Sequence, residues 1–204
     1  MGKRLKIGVL VSGSGTNLQS IIDRCQDGSL PAVISCVISN NEKAYALERA
    51  RRHGITAICL KHTDFNGRTA YDAELVKVLQ SHGVELVVLA GFMRIITPGF
   101  IEAFPNAIMN IHPALLPAFP GLHAQRQALE YGVKVTGCTV HFVDAGTDTG
   151  PIVMQAIVSV EENDSEDTLS ARIQMEEHRI FPEAIRLFAE GRLKVDGRKV
   201  VYSK

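Results

Sequence analysis

An apolar run ends in Asn110-Ile111-His112-Pro113-Ala114-Leu115-Leu116-Pro117, which sets a carboxamide and an imidazole two residues apart at the end of a predicted strand, Ala107 to Ile111. Side chains two apart on a strand share a face, so Asn110 and His112 point the same way. Pro113 and Pro117 fix φ and remove backbone donors, and the segment beyond His112 must therefore leave a central sheet position and run as a stiff loop. A carboxamide N–H and an imidazolium N–H aimed at one point form an oxyanion hole for a carbonyl that becomes tetrahedral. Asp148 follows in Asp144-Ala145-Gly146-Thr147-Asp148-Thr149-Gly150-Pro151, a loop after a second strand-like run, Val135 to Val143. A carboxylate beside His112 would favour its protonated form. Singly, each residue has an ordinary alternative: a turn Asn, a surface His, a loop acid.

A second candidate is Ser12-Gly13-Ser14-Gly15-Thr16-Asn17, between the first predicted strand and the first predicted helix. Glycines let backbone N–H groups approach an anion, and a helix start adds partial positive charge, so a phosphate is the expected guest. A tight strand-to-helix turn is the alternative reading. A dinucleotide fingerprint needs Gly or Ala where Leu18 stands and an acid where Ser39-Asn40-Asn41 stand, and a P-loop needs Gly-Lys-Ser or Gly-Lys-Thr. Neither pattern is met.

The elements that must hold these groups follow from periodicity. Leu5 to Val11, Ala32 to Ile38, Thr56 to Leu60, Leu86 to Ala90 and Ala107 to Ile111 are short apolar runs that suit buried strands. Leu18 to Gln26, Ala44 to His53, Tyr71 to Ser81 and Pro98 to Phe104 are helical patterns between them. Such alternation predicts an α/β fold: an open, mainly parallel Rossmann-like sheet with helices on both faces. Val135 to Val143 and Ile152 to Val160 have no helix between them and suit an antiparallel extension of that sheet. A last helix is expected over Thr168 to Ala189, kinked or split by Pro182. Asp196-Gly197, between Leu193 to Val195 and Lys199 to Tyr202, signals a C-terminal hairpin.

Composition narrows the partners. The 204 residues suffice for a sizeable core, and 22 Lys plus Arg balance 22 Asp plus Glu, so no bulk positive field recruits nucleic acid. Cys25, Cys36, Cys59 and Cys138 form no C-x-x-C pair and suit reduced, buried thiols. The start Met1-Gly2-Lys3-Arg4-Leu5-Lys6 is basic, but Ile7 to Val11 is too short for a signal peptide's apolar segment. No run approaches the ~20 apolar residues of a membrane span. A cytoplasmic protein acting on small molecules, as monomer or homodimer, is expected. His53, His62, His82, His123 and His178 lack metal-ligand spacing, and no metal is assigned.

Asn110-x-His112-Pro113-x-Leu115-Leu116-Pro117, the following Pro120-Gly121, and Thr136 to Asp144 running on to Asp148 and Gly150-Pro151 resemble the signature of the folate-dependent formyltransferases. The resemblance extends from about Lys6 to about Arg192. It implies transfer of the formyl group of 10-formyltetrahydrofolate, a cosubstrate, to the amine of glycinamide ribonucleotide in purine biosynthesis. It implies catalytic roles for Asn110, His112 and Asp148, and it implies that Gly15, Thr16 and Asn17 hold the ribonucleotide phosphate. Glu177 matches an acid contacting the ribonucleotide sugar, or else is one charge on an exposed helix face. Arg68, Met93, Arg94, Ile95, Ile96, Asn110 and Asp144 match folate-binding positions, with Met93 to Ile96 lining the pterin pocket and Asp144 to Asp148 wrapping it.

His141 fits a polar residue at a strand end; support of His112 or Asp148 is its alternative role. Ala114 and Ala118-Phe119 depart from the Ser and the Lys-aromatic pair found in many members, beside the site and outside the trio. The domain expected is single, 1–204, with a phosphate and ribonucleotide half to about residue 105, a folate and catalytic half over about 106–192, and a hairpin from about 193. Family branches acting on methionyl-tRNA need an added C-terminal domain and a basic surface. The hydrolase branch, with water as acceptor, usually carries an added N-terminal domain, for which the residues before Ile7 leave no room. A non-catalytic phosphate-binding module is the alternative of another class.

Overall fold

The computed structural model describes residues 3–203, and the chain divides into two compact units that meet in sequence at Met109 and Asn110. In the first unit, Val- and Ile-rich runs become β1 (Leu5–Val11), β2 (Ala32–Ser39), β3 (Ala57–Cys59) and β4 (Leu86–Leu89). All three pairings among them are parallel, in the order β3-β2-β1-β4. Parallel neighbours require crossovers. These are supplied by α1 (Thr16–Gln26), α2 (Tyr45–Arg52) and α3 (Arg68–Ser81), and α4 (Pro98–Ala103) follows β4 with its proline in the first turn. Ile7, Val9, Leu10, Val37, Ile38, Val87 and Val88 are fully buried, as expected of strands covered on both faces.

The strand β5 (Ile108–His112) crosses the division between units. Beyond it come α5 (Ala124–Tyr131), β6 (Val135–Phe142), β7 (Ile152–Ser159), α6 (Glu166–Ala189), β8 (Leu193–Asp196) and β9 (Lys199–Tyr202). Their order is β5-β6-β7-β9-β8, with β6/β7 and β8/β9 antiparallel and β7/β9 parallel. The fold is thus Rossmann-like and mostly parallel, flanked by helices, with antiparallel C-terminal strands. Among the described residues no helix is long and apolar enough to cross a membrane.

Four expectations need correction. Pro182 does not split α6, which runs unbroken over 24 residues. Its start is fixed by a reciprocal cap, Thr168 N–H to Ser165 Oγ at 3.2 Å and Ser165 N–H to Thr168 Oγ1 at 3.0 Å, and buried side chains on both sides of the proline (Ile173, Ile180, Phe181, Ala184, Ile185) hold both halves to one core. In the hairpin, Asp196 pairs with Lys199, so the two-residue turn is Gly197-Arg198, with φ +58 at the glycine. The helix α5 lies where none was predicted; Gly132 ends it with φ +80 and donates to Ala128 and Leu129 carbonyls. Of the thiols, only Cys36 and Cys138 are buried, whereas Cys59 is exposed and Cys25 intermediate; all four are free.

Candidate active site

Two places on this frame match the candidate residues. In the first unit, β1 lies between β2 and β4, so the chain leaves β1 in one direction and returns to its other side after β3. Loops at the carboxyl ends of strands flanking such a reversal part from each other and leave a crevice. Here that crevice is a hollow of about 200 Å³ lined by residues 12–17 after β1 and by Ala90, Gly91 and Met93 after β4. Thr16 opens α1, so the backbone N–H groups of the loop and the positive end of the helix meet in this hollow.

Gly15 is required for a reason other than room for an anion. Its φ is +72, and a Cβ there would stand 2.6 Å from Ala46 Cβ and 2.8 Å from Ala46 Cα. Helix α2 is seated on the loop: Ala46 N–H donates to Gly13 O at 3.1 Å and Arg49 Nε–H to Ser14 O at 2.9 Å. Beyond β4, Arg94 lies over the Tyr71 ring, 5.1 Å from its centroid, and Asp72 accepts from Thr97 N–H at 2.6 Å. Met93 and Ile95 are 68% and 62% exposed, whereas Ile96 is buried. Two large apolar side chains therefore project from a braced segment. Arg68 is exposed at the first position of α3.

In the second unit, Asn110 Nδ2 donates to His141 Nε2 at 3.1 Å, and His141 Nδ1 donates to the Phe142 carbonyl at 2.8 Å. The second bond places the proton on Nδ1 and leaves Nε2 as an acceptor, which also fixes which end of the Asn110 amide faces it. His141 is 2% exposed, and burial pushes its pKa below the ordinary imidazole value, which keeps the ring neutral in this role. Among the described residues one of the two Asn110 amide hydrogens stays uncommitted. Asp148 stands beside both histidines, Oδ1 at 3.7 Å from His141 Nε2 and Oδ2 at 3.4 Å from His112 Nδ1. Gly121 N–H donates to Asp148 Oδ2 at 2.8 Å, and His112 Nε2 donates to the Phe119 carbonyl at 2.8 Å. Asn110, His141, Asp148 and His112 thus cluster within one site, with His141 bonded to Asn110 and Asp148 set against His112. His141 does more than end a strand, the role expected of it: it holds Asn110 by accepting its N–H, and it lies beside Asp148 without sharing a proton with it.

The same geometry revises the part of His112. Both its ring nitrogens face acceptors, so it has no N–H left over for an oxyanion; when protonated it offers charge, and Asn110 offers the open N–H.

The loops are built to hold this arrangement. Thr139, two residues before His141 on β6, accepts from Leu116 N–H at 3.0 Å and donates to Ala114 O at 2.7 Å, while Gln155 Nε2 donates to Leu116 O at 2.9 Å. Between them they fasten the proline-flanked segment after His112, which includes a cis Leu116–Pro117 bond. Asp144 Oδ1 accepts from Gly146 N–H at 3.1 Å and Thr149 Oγ1–H at 2.6 Å, so this carboxylate folds its own loop. At Gly146 a Cβ would fall 2.0 Å from Thr149 Oγ1. Asp148 has φ +55, a left-handed conformation that Asp adopts more readily than most residues.

Glu177 is not on an exposed face. It is buried on the Leu169, Ile173, Ile180, Ala184 stripe of α6. Cys138, also buried, has its thiol pushed up to about 12 by desolvation, which suits an inert side chain. No group of His, Cys, Asp or Glu among the described residues could hold a metal ion.

With this geometry in hand, the family model described as Formyl transferase matches residues 5–185. The phosphoribosylglycinamide formyltransferase of Escherichia coli (strain K12) is 47% identical over 191 residues, covering 94% of this chain and 90% of that protein. The crystal structure of glycinamide ribonucleotide transformylase 1 from Symbiobacterium toebii superposes with a TM-score of 0.98 at 58% identity, covering 100% of this chain and 96% of that one. The chain belongs to the phosphoribosylglycinamide formyltransferase family. A formyltetrahydrofolate deformylase from Pseudomonas syringae also superposes, with a TM-score of 0.92, but at 26% identity and with only 67% of its length covered. Membership in the formyltransferase family makes this chain an enzyme, and the matched span includes Asn110, His112 and Asp148.

Proposed function

We propose that this enzyme transfers the formyl group of 10-formyltetrahydrofolate directly to the amine of glycinamide ribonucleotide, the reaction of its family in purine biosynthesis, using Asn110, His112 and Asp148. The observation that carries the residue assignment is the cluster of Asn110, held by His141, and His112, set against Asp148, on two strand ends and one inward loop. A formamide carbon is a poor electrophile, so the enzyme must orient the amine and stabilise the oxygen that becomes negative on attack. The open Asn110 N–H donates to that oxygen, and His112, when protonated opposite Asp148, supplies charge. Asp148 takes part through water in moving the proton from the attacking nitrogen to N10 of the departing folate. Carbon–nitrogen bond formation to the ribonucleotide and cleavage at N10 balance without oxidant, metal or covalent enzyme intermediate.

Gly15, Thr16 and Asn17 are assigned to the ribonucleotide phosphate, because the hollow after β1 gathers backbone donors at a helix start. Glu177 is assigned to the sugar. Folate is assigned to Met93, Arg94, Ile95 and Ile96, whose exposed Met93 and Ile95 side chains offer an apolar surface to a flat ring, and to Arg68 and Asn110. The Asp144 loop is assigned to the pterin, through its backbone in preference to the carboxylate already spent on the turn. One domain carries all of this, with the phosphate in its first part and the formyl chemistry in its second, and the enzyme acts as monomer or homodimer in the cytoplasm. The test is steady-state kinetics with the two substrates: Asp148→Asn and Asn110→Ala should each abolish most turnover, and full activity in both would refute the assignment.

A further inference from the structure

We propose that Ser12 is a positioning residue whose hydroxyl fixes the backbone of Met93, so that a residue of the phosphate loop controls folate binding. This rests on the substrate assignment above. Ser12 ends β1 by a double grip on the chain after β4. Its N–H donates to Gly91 O at 3.0 Å, and its Oγ accepts from Met93 N–H at 2.9 Å. The same Oγ–H donates to Asn40 Oδ1 at 2.6 Å, which fixes the hydroxyl rotor and turns a lone pair towards Met93. Gly91 has φ +75, so the turn between the two grips is tight.

No other side-chain bond holds the Met93 amide among the described residues. The remaining braces act further along, at Arg94 through the Tyr71 ring and at Thr97 through Asp72. Met93 and Ile95 gain nothing from their own burial, since both lie mostly in solvent. Their placement depends on these braces, and a ligand that stacks on them depends on it too. Ser12 and Met93 also line the same hollow, so a shift of one reshapes the wall facing the other.

The consequence is an effect across subsites. Ser12→Ala removes one hydrogen bond and should raise the KM for 10-formyltetrahydrofolate about 2- to 10-fold, the worth of one such bond, with kcat changed less than twofold. Ser12→Thr keeps the hydroxyl and should restore the wild-type value. Asn40→Ala frees the rotor and should raise the same KM by less, with no added effect in the Ser12→Ala background. Amide hydrogen exchange gives an independent arm that needs no turnover: Met93 should be protected in the wild type and in Ser12→Thr, and lose protection in Ser12→Ala. A wild type that binds no folate but shows this exchange pattern would refute the substrate assignment and leave the Ser12–Met93 bond standing. Unchanged Met93 protection in Ser12→Ala, or a rise confined to the ribonucleotide KM, would overturn the proposal.

Discussion

Replacing Asn110 separates an oxyanion donor from a binding residue. The amide gives one hydrogen to His141 Nε2 at 3.1 Å and keeps one for the substrate oxygen. Asn110→Ala removes both. Loss of one preorganised oxyanion donor costs about 10²- to 10³-fold in kcat, or about 3 to 4 kcal/mol of barrier. The oxygen carries strong negative charge only during attack, so kcat and kcat/KM should fall together and both KM values should stay within about threefold. The lost bond to His141 leaves a buried acceptor unpaired, at about 1–3 kcal/mol of stability, which urea denaturation reads separately.

Asn110→Asp is the sharper variant. Its carboxylate would face Nε2, an acceptor, because the His141 proton is held on Nδ1 by the Phe142 carbonyl at 2.8 Å. It would also repel the developing oxyanion and add to the charge of Asp148, whose Oδ1 is 3.7 Å from that Nε2. Turnover should therefore be lower than in Asn110→Ala. The assay follows folate absorbance at saturating and limiting levels of each substrate. A rise in folate KM at constant kcat would refute the reasoning, since Asn110 would then hold the ground state only.

Three further outcomes are expected. Asp148→Asn should lower kcat by at least ~10²-fold while leaving the urea midpoint within a small margin, because an amide oxygen can still accept from Gly121 N–H; near-normal turnover would remove Asp148 from the mechanism. His141, with its pKa lowered by burial, contributes stability above the ordinary imidazole range that is lost as pH falls through its folded value, so the wild-type urea midpoint should drop from pH 7 to pH 5 more than that of His141→Gln; parallel curves would contradict the neutral, buried ring. Gly15→Ala should lower stability by about 1 kcal/mol or more as well as raise the ribonucleotide KM, since the methyl meets Ala46 and φ is +72; a KM effect at full stability would show that the glycine serves ligand access alone.

The strands were legible because Leu5–Val11 and Ala32–Ser39 are mostly apolar runs rich in Val and Ile between turn residues, interrupted only by Lys6 and Gly8 in the first and by Ser35 and Ser39 in the second, a local property. The shared face of Asn110 and His112 at the end of β5 was legible for the same reason: period-2 geometry and two prolines need no tertiary information. His141 was less so, since its bond to Asn110 depends on β6 lying beside β5, which spacing does not encode. A signal was present in Thr139 and His141, two polar residues alternating with Val140 and Phe142 on one strand. The burial of Glu177 could also have been read, from its place four residues after Ile173 on an apolar stripe. The constraint on Gly15 could not, because Ala46 approaches it from another helix. The intact α6 shows tertiary burial overriding a proline, and the shifted hairpin turn shows cross-strand pairing of Asp196 with Lys199 overriding the dipeptide signal.

The central claim is direct transfer from folate to amine by Asn110, His112 and Asp148. It is tested most directly by mixing the purified enzyme with 10-formyltetrahydrofolate, with and without glycinamide ribonucleotide, and following folate absorbance together with formylated product. The account predicts tetrahydrofolate and formylated ribonucleotide in equal amounts, and no folate turnover when the ribonucleotide is omitted. Release of free formate at the same rate in both mixtures would contradict it and make water the acceptor.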